Sequence, residues 1–344
     1  MWIKSLNKKK KTYCDWVAVD WGTSNMRYWV ISSDEVIHSR HMPVGMANLE
    51  RISYEKILIE ELDTFLNPSK RTLILICGMA GARQGWKEAP YKSVPCKPPE
   101  LHEAVSVKCK DSRFIVKILP GLKQNRPADI MRGEETQIKG ILERHNRFDG
   151  VVCLPGTHTK WVRISAGEVV SFQTFMTGEL FSLLVEKSVL QHSVSKEGWN
   201  QKIFKNSIEE IISDNKIFAA KVFGLRAESI IKSLSVSDAR SRLSGYLIGL
   251  ELSGSRAYWL GETVFILGEE SISLAYEIGL RSQGVEVIRD LLDMEASSES
   301  AGSLPTSPNT LYNLFEGLKI EFEVFEHPPF FTVEEAKKYR KSMH

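Results

Sequence analysis

Residues 20–25 read Asp-Trp-Gly-Thr-Ser-Asn and residues 155–160 read Pro-Gly-Thr-His-Thr-Lys. In each, a glycine and hydroxyl-bearing side chains follow an apolar run, VAV at 17–19 and VVCL at 151–154. Backbone amides in such a turn, helped by threonine and serine hydroxyls, can hydrogen-bond phosphate oxygens because glycine lets the chain come close. Gly22, Thr23, Ser24 and Asn25 are the phosphate candidates of the first turn, and Gly156 and Thr157 those of the second. Asp20 repels a phosphate, but a carboxylate at that strand end can hold a hydrated Mg²⁺ that neutralises a polyphosphate. One such turn fits an ordinary hairpin. Two, each opening a similar strand–turn–strand stretch, favour phosphate binding.

Two further stretches carry chemistry. MRGEETQ (131–137) places Glu134 and Glu135 side by side after an Arg-Gly pair. A carboxylate fixed near a hydroxyl and a transferring phosphoryl group can serve as general base, whereas acids at a helix N-terminus also simply suit the macrodipole. LGEES (267–271) ends a strand in glycine before a helix, a turn on which an adenine or ribose could lie flat, although an ordinary strand–helix connection reads the same way. His158 lies in the second turn and could meet a ligand, while His102, His145 and His192 read as surface or helix positions. No pair of histidines has metal-ligand spacing. The chain has no G-x-x-x-x-G-K-[ST], no G-x-G-x-x-G and no G-x-S-x-G, which removes a P-loop, a dinucleotide fingerprint and a nucleophile elbow.

The elements that must position these residues follow from periodicity. WVAVD (16–20) and MRYWVI (26–31) predict an antiparallel pair around the first turn, and VIHSRHM (36–42) a third strand. The stretch 55–66 predicts an amphipathic helix, and RTLILICGM (71–79) a fully buried strand. Residues 78–91 read as a polar, glycine-rich loop and 114–121 as a strand ending in Pro-Gly. A helix is expected to begin near Asp129 and run through RGEETQIKGILERH. The second half repeats this order: strand–turn–strand at 151–164, helices over 177–193 and 237–260, a strand from 263 and a helix over 271–283. Antiparallel strands followed by a helix and a buried strand predict α/β structure with mixed sheets.

The 344 residues can build two core-bearing lobes, and 42% apolar with 26% charged residues is ordinary for a soluble globular chain. A net charge of +2 gives no general reason to expect nucleic acid or a membrane as partner. Five cysteines without a CxxC pair argue against a disulfide framework or zinc site and for a reducing cytoplasm. The basic N-terminus (1–13) reads as a solvated tail, with no signal-peptide pattern and no run approaching a membrane span.

In order, DWGTSNMR, GMAGARQGWKEAPY, MRGEETQ, CLPGTHTKWV and FMTGEL resemble the 2-keto-3-deoxygalactonate kinases, over about residues 14 to 287. That family belongs to the sugar kinase/Hsp70/actin superfamily. The resemblance implies a two-lobed actin-like ATPase (ribonuclease H-like) fold with an interlobe ATP cleft, lobes at 14–128 and 129–293, and a cytoplasmic enzyme that could be a homodimer. It implies transfer of the ATP γ-phosphoryl group to the 6-hydroxyl of 2-dehydro-3-deoxy-D-galactonate, or of a different 2-keto-3-deoxy acid, with ATP and Mg²⁺. A degenerate ATP-binding sensor is the reading from another class. By the same resemblance Asp20 is the Mg²⁺-side carboxylate, Gly268 and Ser271 the adenosine-motif residues, and Glu134 the position matching the superfamily's catalytic base, with Glu135 the alternative. The acid's carboxylate calls for a cation, and Arg27, Arg83, Arg132 and Lys160 are the candidates, with Trp86 able to pack on the sugar chain.

Past about Val287 the resemblance changes. Residues 294–310 read as a Ser/Pro/Gly-rich linker. Residues 311–344 resemble only the opening of a prolyl-tRNA-editing (YbaK-like) domain, without its catalytic lysine region. No editing activity is expected of that fragment, whose phenylalanines could dock on the second lobe.

Overall fold

A computed structural model describes residues 12–33 and 35–289. The expectations for the tail up to residue 11, for 294–310 and for 311–344 therefore lie outside the described residues. The chain separates into two compact units, the first ending at Asn146 and the second beginning at Arg147.

The first unit opens with β1 (Trp16–Trp21), β2 (Met26–Ser32) and β3 (Glu35–Met42), then α1 (Ser53–Leu62) and β4 (Thr72–Gly78). Short strands β5 (Tyr91–Ser93) and β6 (Val105–Val107) precede β7 (Phe114–Ile118), β8 (Gly121–Asn125) and β9 (Ala128–Met131), and α2 (Glu134–Arg144) closes the unit. Its main sheet has the order β3-β2-β1-β4-β7-β6, and β5-β8-β9 form a second, smaller sheet. β1 runs antiparallel to β2 and parallel to β4. Val17, Val19 and Trp21 share one face by the two-residue strand period and pack with Tyr54, Leu58 and Leu62, which recur every fourth residue along α1.

The second unit repeats that grammar. β10 (Gly150–Leu154), β11 (Thr159–Ser165) and β12 (Glu168–Phe175) lead into α3 (Thr177–Lys187), α4 (Gln201–Ser213), α5 (Phe218–Ile231), α6 (Val236–Gly254) and the single turn α7 (Arg256–Trp259). β13 (Val264–Ile266), α8 (Glu270–Ser282) and β14 (Val287–Arg289) follow. The sheet order is β12-β11-β10-β13-β14, with β10 antiparallel to β11 and parallel to β13. It matches the first five positions of the other sheet, strand for strand. Even an irregularity is shared: the pairing of each unit's second and third strands shifts register between the fifth and sixth residues of the second strand, at Val30/Ile31 and at Arg163/Ile164.

Two expectations change. Residues 128–131 are not the start of a helix but β9, paired with β8. The helix begins at Glu134 because Gly133, at φ 113°, has left helical backbone space. Since β9 and α2 pack within the first unit, the division falls after Asn146 instead of at 128/129.

Candidate functional site

In the first unit, β1 ends at Trp21 and β4 at Gly78, neighbours across a parallel ladder, so Asp20 and Cys77 stand side by side. Open sheets of this kind place their ligand sites at the carboxyl ends of such strands. Gly78 has φ 85°, and a side chain there would come within 2.7 Å of the Trp21 carbonyl and 3.1 Å of Asp20 Oδ1. A Cβ on Gly133 would in turn meet the Gly78 Cα at 3.5 Å. Two glycines with positive φ thus bring the start of α2 against the end of β4. Glu134 lies close enough for its charge to act on Asp20.

Asp20 is paired with Arg27 Nη2 at 3.2 Å and keeps 19% side-chain exposure. Burial raises its pKa; Arg27 opposes the rise and the charge of Glu134 adds to it. The adjacent acids of α2 differ sharply. Glu134 is half-buried, and its Oε2 accepts the Arg132 amide at 3.0 Å. Glu135 is fully buried, and its Oε2 accepts the Gly133 amide at 2.7 Å. Burial first, and Glu134 second, push the Glu135 carboxyl up to about 8. Of the two, only Glu134 is accessible.

The turn between β1 and β2 is closed by the Gly22 amide donating to the Asn25 carbonyl at 2.8 Å. Its back is covered: Met46 N donates to Gly22 O and Ala47 N to Thr23 O, at 3.0 and 2.9 Å. Gly45 lies so close that a Cβ there would overlap Thr23 O at 2.2 Å. Thr23 and Ser24 are exposed, and among the described residues their amides have no hydrogen-bond partner. Both amides are therefore open to a further hydrogen-bond acceptor.

The loop after β4 is a compact structure of its own. Ala89 N bonds Gly81 O at 3.0 Å, Lys87 N bonds Ala80 O at 3.2 Å, and Arg51 clamps the carbonyls of Arg83 and Gly85 at 2.9 and 3.2 Å. On this loop the Arg83 side chain is exposed, while Trp86 stacks on Tyr54 at 5.6 Å, which in turn packs on Trp21 at 4.6 Å. Arg132 is only 9% exposed, donates to the Ala89 carbonyl at 2.8 Å and lies over the Tyr91 ring at 4.2 Å. Its guanidinium is engaged in holding the loop, and its Nη1 is buried without a hydrogen-bond partner.

In the second unit, the turn between β10 and β11 has the same construction. A Cβ on Gly156 would meet nothing within 4 Å, so that face is open. Behind it Gly178 abuts the turn, where a Cβ would overlap Gly156 O at 2.4 Å, and Glu179 N donates to Thr157 O at 3.0 Å. His158 Nε2 pairs with Glu179 at 2.6 Å. Gly268 also approaches this turn closely: a Cβ there would lie 3.3 Å from Pro155 O.

Two candidates of this unit point inward. Lys160 is 4% exposed and its Nζ donates to the His158 carbonyl at 3.1 Å. Ser271 is fully buried, its amide and hydroxyl both donating to Glu269, the N-cap of α8. The hydroxyl of Ser271 shapes the turn that Gly268 begins and does not face out of it.

Sequence patterns gave no role to Gly45, Gly178 or Glu251. Gly45 and Gly178 follow their turns by 23 and 22 residues, a spacing visible in the chain once the turns are paired. Glu251 lies among apolar positions of α6 and had no signal beyond being an acid in an apolar run. It is 2% exposed and pushed up to about 7 by burial, against the hydrogen bonds it accepts from Thr177, Tyr276 and Trp161.

The repeated sheet order, with a Gly-Thr turn after the first strand of each unit, is that of the actin-like ATPase fold. Residues 20–299 match the family model described as 2-keto-3-deoxy-galactonokinase, and the chain belongs to that family. It is 37% identical to a protein of Rhizobium meliloti (strain 1021) named as the 2-dehydro-3-deoxygalactonokinase DgoK1, over 79% of this chain and 90% of that one. It is 29% identical to the 2-dehydro-3-deoxygalactonokinase of Escherichia coli (strain K12), over 79% and 91%. A crystal structure of a protein from Sinorhizobium meliloti, titled as a 2-dehydro-3-deoxygalactonokinase, superposes with a TM-score of 0.74 at 36% identity, covering 80% of this chain and 93% of that one.

Proposed function

We propose that the protein is an ATP-dependent sugar-acid kinase that phosphorylates the 6-hydroxyl of 2-dehydro-3-deoxy-D-galactonate. The observation that carries this reading is the Gly78–Gly133 contact, which sets a half-buried Glu134 within the field of Asp20 at the strand ends. Family membership supplies the substrate class. Glu134 accepts the hydroxyl proton as the oxygen attacks the γ-phosphorus and the bond to the ADP oxygen breaks. Glu135, neutral and enclosed, anchors the Gly133 amide and so holds Glu134 in place. Amides of the Gly22–Asn25 and Gly156–Thr157 turns take phosphate oxygens, and Gly268 gives the adenosine a close backbone surface.

The residues fit Mg²⁺. Among the described residues no cluster of three or more His, Cys, Asp or Glu side chains could hold a metal by itself, but a magnesium on polyphosphate needs only one or two carboxylates. Asp20, at the end of β1 and still 19% exposed, would be that carboxylate. Bound there, Mg²⁺ would neutralise phosphate charge. Arg83, exposed on a braced loop, would meet the acid's carboxylate, with Arg27 beside Asp20 and Trp86 as further contacts. Arg132 and Lys160 act from behind, on loop and turn. No helix among the described residues is long and apolar enough to cross a membrane, and five free cysteines, four of them buried, suit the cytoplasm.

The test is coupled ADP release with Mg-ATP and a panel of 2-keto-3-deoxy acids. We expect turnover with the galactonate derivative, and a loss of about 10²–10⁴ in kcat for Glu134→Gln with nucleotide binding retained. Full activity of that variant would remove Glu134 as base, and nucleotide binding without turnover of any acid by the wild type would favour a sensor.

A further inference from the structure

We infer that Glu251 is a positioning residue for the phosphate turn of the second unit, acting through three hydrogen bonds that lock β11, α3 and α8 behind that turn. The inference rests on the nucleotide-binding reading given above.

Glu251 sits in the last turn of α6 among Leu247, Ile248 and Leu252, all buried. An acid in such surroundings carries a desolvation cost that an apolar side chain of similar volume would avoid. Its retention there is explained by its partners. Trp161 Nε1 of β11 donates to Oε1 at 2.7 Å. Tyr276 of α8 donates to Oε2 at 2.7 Å, and the first residue of α3, Thr177, donates to the same oxygen. The Tyr276 oxygen also meets the Thr159 hydroxyl at 2.9 Å.

These partners flank the turn on each side. Thr159 begins β11 two residues after Thr157. Thr177 immediately precedes Gly178 and Glu179, whose backbones press on Gly156 O and bond Thr157 O. Tyr276 lies on α8, the helix that the Gly268 turn introduces. One carboxylate therefore holds the strand leaving the turn, the helix start beneath it and the helix after the adenosine motif. A small shift of any of them moves the amides that meet phosphate. Buried acceptor networks of this kind set geometry because each member is satisfied only in one arrangement.

The test separates positioning from mere stability. Glu251→Met removes the acceptor at similar volume. Glu251→Gln keeps it, with the amide oxygen taking Trp161 and the amide nitrogen donating to the Thr177 and Tyr276 oxygens. We expect Glu251→Met to raise KM for ATP about tenfold or more, with KM for the sugar acid within about twofold, and Glu251→Gln to restore most of the loss. An unchanged KM for ATP, or an equal rise in both KM values, would overturn the inference. Should the Met variant not fold, Tyr276→Phe and Thr177→Val each delete one donor. A several-fold rise in KM for ATP is then expected from both, and wild-type values in both would refute the role. Titration with a non-hydrolysable ATP analogue keeps the two readings apart. A wild type that binds the analogue but phosphorylates no acid overturns the kinase reading, while the variants' loss of affinity still decides the role of Glu251.

Discussion

Two adjacent carboxylates begin α2, and burial separates their roles: Glu134 stays half-buried and open to a ligand, whereas Glu135 is enclosed and pushed up to about 8. The charged form of Glu135 is the disfavoured one, so the stabilisation belongs to its neutral state. It is fully present below the unfolded value near 4.5 and is lost as pH rises through about 8. Glu135→Gln, already neutral, should flatten this dependence. We expect the melting temperature of the wild type to fall more steeply than that of Glu135→Gln between pH 5 and 8, read by differential scanning fluorimetry. Glu251 and Asp20 contribute to the decline in both proteins, so the difference isolates Glu135. Parallel profiles would contradict the assignment. At pH 7 the same variant should keep kcat within about tenfold of wild type, in contrast to Glu134→Gln, because it loses no charge that the chemistry uses.

Glycine contacts between elements do the positioning. Gly178 sets α3 against the second turn and Gly45 sets residues 45–47 against the first, so each Gly-Thr turn is braced from behind. Gly133 and Gly78 do the equivalent for Glu134, the proposed base. The variants Gly178→Ala and Gly133→Ala should therefore fail in different ways. The first introduces a Cβ at 2.4 Å from a carbonyl, an overlap that costs about 1–3 kcal/mol, and is expected to raise KM for ATP. The second forces alanine to φ 113° and tilts the start of α2, so kcat should fall while the affinity for an ATP analogue stays within about twofold. Steady-state kinetics with a parallel analogue titration measures both. The same effect from both substitutions would show that turn and base are not set independently.

Over the whole chain, one strand order serves twice, down to the shared register shift in the second and third strands. The repeat explains why a Gly-Thr turn recurs after the first strand of each unit. A chain with net charge +2 has no strong general field to attract polyanions, so on the proposed reading nucleotide affinity would come from these local turns. A non-hydrolysable ATP analogue with Mg²⁺, at a hundred times its dissociation constant, should stabilise the protein by about 2.7 kcal/mol, seen as a rise in melting temperature. No shift at millimolar analogue would argue against nucleotide binding altogether.

The order of elements, the polar turns and the candidate acids were readable from residue order, because buried parallel strands must be continuous apolar runs such as LILIC and VVC, and the polar turns interrupt them. The start of α2 was misplaced by five residues, since a strand and a helix N-terminus both tolerate ADIMRGEE and only pairing with β8 decides between them. The inward turn of Ser271 and Lys160, the enclosure of Glu135 and the three partners of Glu251 were not readable at all. Periodicity reports that a position is buried but not what lies against it. Glu251 meets Trp161 across 90 positions of chain, and Thr177 across 74. Contacts of that separation exist only once the sheet and helices have packed, so tertiary structure alone chose the partners.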